Sequence, residues 1–194
     1  MNEVINIVVM GKPEPRGSKK PMPIYEKIKD ANGDPIIHPK TGKPRRRVKM
    51  DDRDRALINT IDDNKASEGW MKKVQRAAAI AMGGRLPTKA PVKLTLDFYL
   101  ERPLYHFGTG KNAGILKSQF VNAKHVVRPD RLKLSRAIED ALAGKEMGRV
   151  FENDAQTIDG PVRKHYCAPG DMPRVEIQIE IAAVVATVQR SLIT

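Results

Sequence analysis

Apolar positions along this chain recur with two different periods, and the changes of period mark out its elements. Residues 2 to 10 (NEVINIVVM) are rich in Val and Ile and stop at Gly11, which predicts a buried strand. In SEGWMKKVQRAAAIAM, Trp70, Val74, Ala77, Ala78 and Ala81 fall at helical spacing, with Ser67 as N-cap and Gly83-Gly84 as terminator. VKLTLDFYL alternates, with Val92, Leu94, Leu96, Phe98 and Leu100 on one face and Lys93, Thr95, Asp97 and Tyr99 on the other. A second helical stripe follows: Leu134, Ala137, Ile138, Ala141 and Leu142 recur at i, i+3, i+4, i+7 and i+8 before Gly144 ends the run. QTIDGPVRKHYC then reads as a strand broken near Gly160-Pro161. RVEIQIEIAAV sets Val175, Ile177, Ile179 and Ile181 against Glu176, Gln178 and Glu180. The predicted class is α+β: a small mixed sheet of about four strands with two helices packed on one face.

One stretch breaks the pattern. From Gly11 to about Lys65 the chain is crowded with Pro, Gly, Lys, Arg and Asp, with too few periodic apolar positions for a core element. Residues 11–65 are expected to form an irregular basic insertion or arm, with a short hairpin around Asn32-Gly33. With 194 residues, one domain over 1–185 and a tail over 186–194 is the expected organisation.

Charge narrows the partner. Lys and Arg outnumber Asp and Glu by 35 to 23, a formal net charge of +12, which favours a polyanion, with nucleic acid the leading candidate and an anionic membrane the rival. No stretch reaches the ~18 apolar residues of a membrane span, and the longest run, Ile181 to Val188, is interrupted by Thr187. The start of the chain has no secretory pattern, and a single cysteine, Cys167, fits a reducing compartment, so the expected location is cytoplasmic. Gly11 to Lys19 does not meet G-x-x-x-x-G-K-[ST], and Pro13 and Pro15 remove amides a phosphate cradle needs, so no nucleotide cofactor is expected. His38, His106, His125 and His165 lack zinc-ligand spacing; His125, close before Asp130, is a candidate general base.

The chemistry-bearing residues bracket the second helix. Asp130 stands where an N-cap aspartate would, so simple capping is one reading. Glu152-Asn153-Asp154 lies past the helix end and directly before a strand, and Asp130 and Asp154 together could ligate a hard cation that keeps several waters and takes phosphate oxygens. Such a metal supplies Lewis acidity and an activated water. Lys133, Arg136 and Asp140 form a charged stripe on the helix. They read either as a solvated face with an Arg136–Asp140 pair, or as Arg136 stabilising a pentavalent phosphate while Asp140 orients it.

RPDRLKLSRAIEDALAG followed by ENDAQTID resembles the RusA family of Holliday-junction resolvases, whose signature is approximately K/R-P-D-x-D-[NK]-L-x-[KR]-A-x-x-D-A-L and then D-D-x-Q. GKPEPRGSKK, LERP and HFGTGKNAGILK are similar to its phage and prophage branch. The resemblance implies a crossover-junction endodeoxyribonuclease with a RusA-like fold that resolves branched DNA in recombination and repair as a homodimer, using Mg2+ or Mn2+. It matches Asp130 to the first motif aspartate, Arg136 to the basic residue, Asp140 to the aspartate of D-A-L and Asp154 to the second aspartate of D-D-x-Q. Two positions depart from it. Leu132 stands where a second acidic residue is expected, and Asn153, which could still ligate through its carbonyl oxygen, replaces the first aspartate of the later pair. Glu139 shares a face with position 132 but lies roughly 10 Å along the helix, too far to substitute. The alternative is a catalytically impaired protein that binds junction or duplex DNA. The expected metal ligands are Asp130, Asp154 and Asn153, and the expected DNA contacts are Lys111, Lys117, Lys124, Arg128, Lys133, Lys164 and the run Arg45, Arg46 and Arg47.

Overall fold

The computed structural model describes residues 3–62 and 64–182; the expected tail at 186–194 lies outside them. Residues 1–16 and 65–194 make one compact unit and residues 17–64 another.

The first unit is a five-stranded mixed sheet with two helices. Its strands are β1 (Glu3–Met10), β6 (Val92–Leu100), β7 (Thr157–Asp159), β8 (Val162–Tyr166) and β9 (Arg174–Ile181). β9 lies between β1 and β6 and is antiparallel to both, and β7 and β8 run parallel to β6 on its far side. The fifth strand arises where the sequence breaks, because Gly160 and Pro161 separate β7 from β8. Gly160 has φ 139, and a Cβ there would collide with the Leu94 backbone, while Leu96 N donates to Pro161 O at 2.9 Å.

Alternate residues of β1, β6 and β9 (Ile5, Ile7, Leu94, Leu96, Phe98, Ile177 and Ile179 among them) share one buried cluster with Trp70, Val74 and Ala78 of α1 (Lys65–Met82) and Leu134, Ile138 and Leu142 of α2 (Arg131–Leu142). Both helices therefore cover the same face of the sheet, as their spacing predicts. The helix boundaries differ in one respect: α1 starts at Lys65, so Ser67 is buried within its first turn rather than capping it, while Gly83 and Gly84 terminate it with φ 56 and 84. β1 is not the fully buried strand its run of Val and Ile predicts. It is paired on one side by β9, and Val4, Val8 and Met10 on its second face are exposed.

Residues 17–64 are also not irregular. β2 (Lys19–Pro23) pairs antiparallel with β5 (Ile58–Asp62), and β3 (Tyr25–Lys27) with β4 (Arg46–Val48). The expected hairpin around Asn32-Gly33 is present: Gly33 has φ 88, Lys29 bridges Pro35, and Asp30 Oδ1 accepts from the Asn32 and Asp34 amides, both at 2.9 Å. A similar turn is built on Asp51, whose Oδ1 accepts from Arg53 N and Arg55 N. Backbone bonds and aspartate turns hold this unit, and Met22, Ile24, Tyr25, Ile37 and Ile58 stay exposed, so no buried face imprints a period on the sequence. Residues 11–16 belong instead to the sheet unit. Among the described residues no helix is long and apolar enough to cross a membrane.

Candidate active site

Asp130 occupies the N-cap position of α2 with an extended backbone (φ −67, ψ 135), and its carbonyl accepts from Leu134 N at 3.1 Å. Its carboxylate makes no cap hydrogen bond, so the acidic group is not spent on the helix end. The loop before it is pinned from the sheet: Lys164 of β8 donates to Val127 O at 2.8 Å and Pro129 O at 2.9 Å, and the Arg128–Pro129 bond is cis. Burial pushes the Lys164 ammonium below its ordinary pKa, and the Asp130 charge pulls the other way. Val126, Val127, Arg128, Asp130, Arg131, Leu132, Lys133 and Lys164 line one open depression of ≈ 520 Å³. Leu132, where the signature expects an acid, is 72% exposed in it.

No sheet element leads into Asp130. Residues 101–130 form 3-10 turns at Leu104–His106, Gly110–Asn112 and Ser118–Phe120, wrapped on the Tyr166 ring. His106 stacks on Phe120 at 4.1 Å and meets Tyr166 at 4.9 Å, and His125 meets Tyr166 at 4.6 Å. Arg102 donates from Nε to Cys167 O and from a terminal nitrogen to Phe120 O, and Lys117 donates to Tyr105 O. Both imidazoles are buried, which lowers their pKa values; Arg102 and Lys117 add to the shift at His106, and Lys164 at His125. His125 is a packed ring inside the loop. Burial likewise raises the Cys167 thiol, the signature of an inert packed cysteine.

Asp154 opens the 3-10 turn Asp154–Gln156, which packs against α2. Asn153 caps this turn: its Oδ1 accepts from Ala155 N at 2.9 Å, and Gln156 Oε1 accepts from Asn153 N at 2.8 Å. Gln156 Nε2 donates to Thr88 O at 3.0 Å and Ala90 O at 2.8 Å, tying the turn to the segment that enters β6. The Asn153 carbonyl considered as a metal ligand is therefore engaged in the cap. Asp154 is exposed, its carboxylate makes no hydrogen bond or ion pair among the described residues, and it is not in the lining of the Asp130 depression. Glu139 accepts from Ser135 Oγ at 2.9 Å. Among the described residues no three His, Cys, Asp or Glu side chains come together as a metal site; the hard donors on offer are the uncommitted carboxylates of Asp130 and Asp154.

The Arg136–Asp140 pair of the solvated-face reading does not form. Asp140 pairs with Arg16 Nε at 2.7 Å, not with Arg136, and Arg16 N donates to Lys133 O at 2.9 Å. Residues 11–16 thus run from Gly11, whose amide donates to Pro173 O, onto the first turns of α2. Arg136 is exposed and has no ion pair among the described residues. Arg16 and Gln156 escape sequence reasoning. Arg16 sits in a segment with no period, and the only hint of Gln156 is its place in the D-D-x-Q pattern. Of the remaining expected DNA contacts, Lys111, Lys124, Arg128, Lys133, Arg45 and Arg46 are exposed, while Arg47 pairs with Glu26 at 2.7 Å.

A search of curated proteins returned no relative of this chain. The family model described as Endodeoxyribonuclease RusA matches residues 38–180, which takes in Asp130, all of α2 and the turn that carries Asp154. The chain belongs to the RusA endodeoxyribonuclease family.

Proposed function

We propose that this protein is a structure-selective endodeoxyribonuclease that hydrolyses a backbone phosphodiester of branched DNA, four-way junctions included, with Mg2+ or Mn2+. The observation that carries the proposal is the state of Asp130. A residue in N-cap position leaves its carboxylate uncommitted, in a depression lined by Arg128, Arg131, Lys133 and Lys164. Two carboxylates, Asp130 and Asp154, with the balance of the shell from phosphate oxygens and water, suit a hard cation such as Mg2+. Bound there, the cation would supply Lewis acidity and a water of lowered pKa. Hydrolysis joins the water oxygen to phosphorus and breaks one phosphorus–oxygen ester bond. One proton of the water ends on the leaving sugar oxygen and the other is released.

The side chains have separate tasks in this reading. Arg136, exposed and without an ion pair among the described residues, meets the charge that grows on the phosphoryl oxygens. Asp140, through Arg16, positions residues 11–16 on α2. Arg128, Lys133, Lys111 and Lys124 contact flanking phosphates, and Arg45 and Arg46 are DNA contacts of their own unit. Resolving a four-way junction takes two matched cuts, which a twofold homodimer provides.

The test is a labelled synthetic four-way junction incubated with Mg2+, Mn2+ or EDTA, with light scattering for the dimer. Metal-dependent paired nicking that is lost in Asp130→Asn and in Asp154→Asn supports the proposal. A second reading, a protein that binds branched DNA without cutting it, is favoured by Leu132, which leaves the first turn of α2 without the acid the family signature places there. Tight junction binding with no cleavage in either metal selects it.

A further inference from the structure

The depression beside Asp130 holds a feature that hydrolysis does not use. Val126, Val127 and Leu132 are 84%, 49% and 72% exposed, and they line the same ≈ 520 Å³ space. Apolar side chains scattered singly over a surface need no explanation; three that line one space call for a partner. Cations from three directions surround them: Arg128 from the loop, Arg131 and Lys133 from the helix, and Lys164 from β8, with Lys164 held by the Val127 and Pro129 carbonyls. The occupant must therefore offer an apolar face and several negative charges within a few ångströms. The Asp130 carboxylate in the same lining disfavours a simple anion and favours one that arrives with a divalent cation.

We propose that Val126, Val127 and Leu132 form an apolar seat for an unstacked nucleobase at the branch point of the DNA, next to the phosphate that is cut. This rests on the endonuclease reading above. In an unbroken duplex both faces of each base are stacked and no face is free for a leucine. At a branch point the unstacking cost is smallest, and aliphatic side chains act as wedges between bases elsewhere in DNA recognition. The cations around the seat hold the phosphates on either side of the exposed base. On this view Leu132 is a determinant of specificity: the position that lacks the expected acid contributes selection of branched DNA.

The test places 2-aminopurine, which brightens on unstacking, either at the branch point of a four-way junction or in the middle of one arm, in EDTA so that no cutting intervenes. The proteins are the wild type and a Val126→Ser/Leu132→Ser double variant, which changes only exposed side chains. The wild type should raise the branch-point signal severalfold and leave the arm signal unchanged. The variant should lose that rise and about tenfold of its preference for junction over linear duplex, while binding linear duplex as the wild type does. A variant that keeps both the signal and the preference overturns the seat and leaves the endonuclease reading standing. A wild type that binds junction no better than linear duplex overturns the reading and the seat together. A variant that turns from dimer to monomer in light scattering assigns the patch to a second copy of the chain, which also overturns the proposal.

Discussion

Replacing Gln156 by Ala removes three hydrogen bonds at once: one accepted from Asn153 N and two donated to the Thr88 and Ala90 carbonyls. At about 0.5–1.5 kcal/mol each, and with the side chain only half-buried, the loss should total about 2–3 kcal/mol. That is a large fraction of a typical domain's 5–15 kcal/mol. It corresponds to a fall in Tm of about 4–12 °C for a chain of this size. Guanidinium denaturation should move to a lower midpoint with an unchanged slope, because the bonds are local and the surface exposed on unfolding is the same. Gln156→Glu is the informative partner. It keeps an oxygen for Asn153 N but turns a second oxygen toward the two carbonyls, and should be at least as destabilising. Because the turn carries Asp154, junction cleavage should fall in both variants even at temperatures where they are fully folded. A loss below about 0.5 kcal/mol in Gln156→Ala would show that the turn is held without this side chain and would refute the anchoring argument.

The buried histidines set a pH response. The pKa values of His106 and His125 are lowered in the fold, so the unfolded chain takes up protons at higher pH than the folded one. Stability is then complete above the ordinary histidine value of about 6.5 and falls as pH drops from there through the folded-state values. Thermal melts between about pH 7.5 and 5 should show the decline, and His106→Phe should flatten it; an identical slope in that variant would count against the assignment. Gly160→Ala should cost at least about 2 kcal/mol in chemical denaturation, because the new Cβ collides with the Leu94 backbone at a φ unsuited to alanine. Arg16→Gln and Asp140→Asn should be non-additive, with a coupling of about 0.5–1 kcal/mol in a double-mutant cycle, and a coupling of zero would deny their ion pair any energetic weight.

The elements that form the core were legible because each buries one face. β6 matches its alternation residue for residue, and α2 begins and ends where Asp130 and Gly144 place it. What was hidden has no buried face or no local signal. The strands of 17–64 are stabilised by backbone bonds and aspartate turns, which leave no hydrophobic period. The exposure of Val4 and Val8 depends on which face of β1 the helices cover, a tertiary choice that a run of Val and Ile does not encode. The site divides in the same way. Asp130, Arg136, Asp140 and Asp154 are singled out in the sequence by their place around one helix together with the resemblance to the family signature. The Asp140–Arg16 pair joins residues far apart in sequence, and a charge stripe alone favours the local i, i+4 partner that the structure does not use.

Part of the positive charge of this chain serves the fold itself. The 101–130 loop has few ladder partners, so its carbonyls need donors from elsewhere. Arg102, Lys117 and Lys164 supply them, at the Phe120, Tyr105, Val127 and Pro129 carbonyls respectively, with Lys164 serving the last two. Each of these cations is thus tied to the loop it serves. The loop that delivers Asp130 is fixed on one side by the Tyr166 aromatic packing and on the other by the ammonium of Lys164. A carboxylate on a braced loop, with Arg128 and Arg131 exposed on either side of it, loses little freedom when a phosphate arrives. Part of the basic excess thus keeps rigid the loop on which Asp130 is presented.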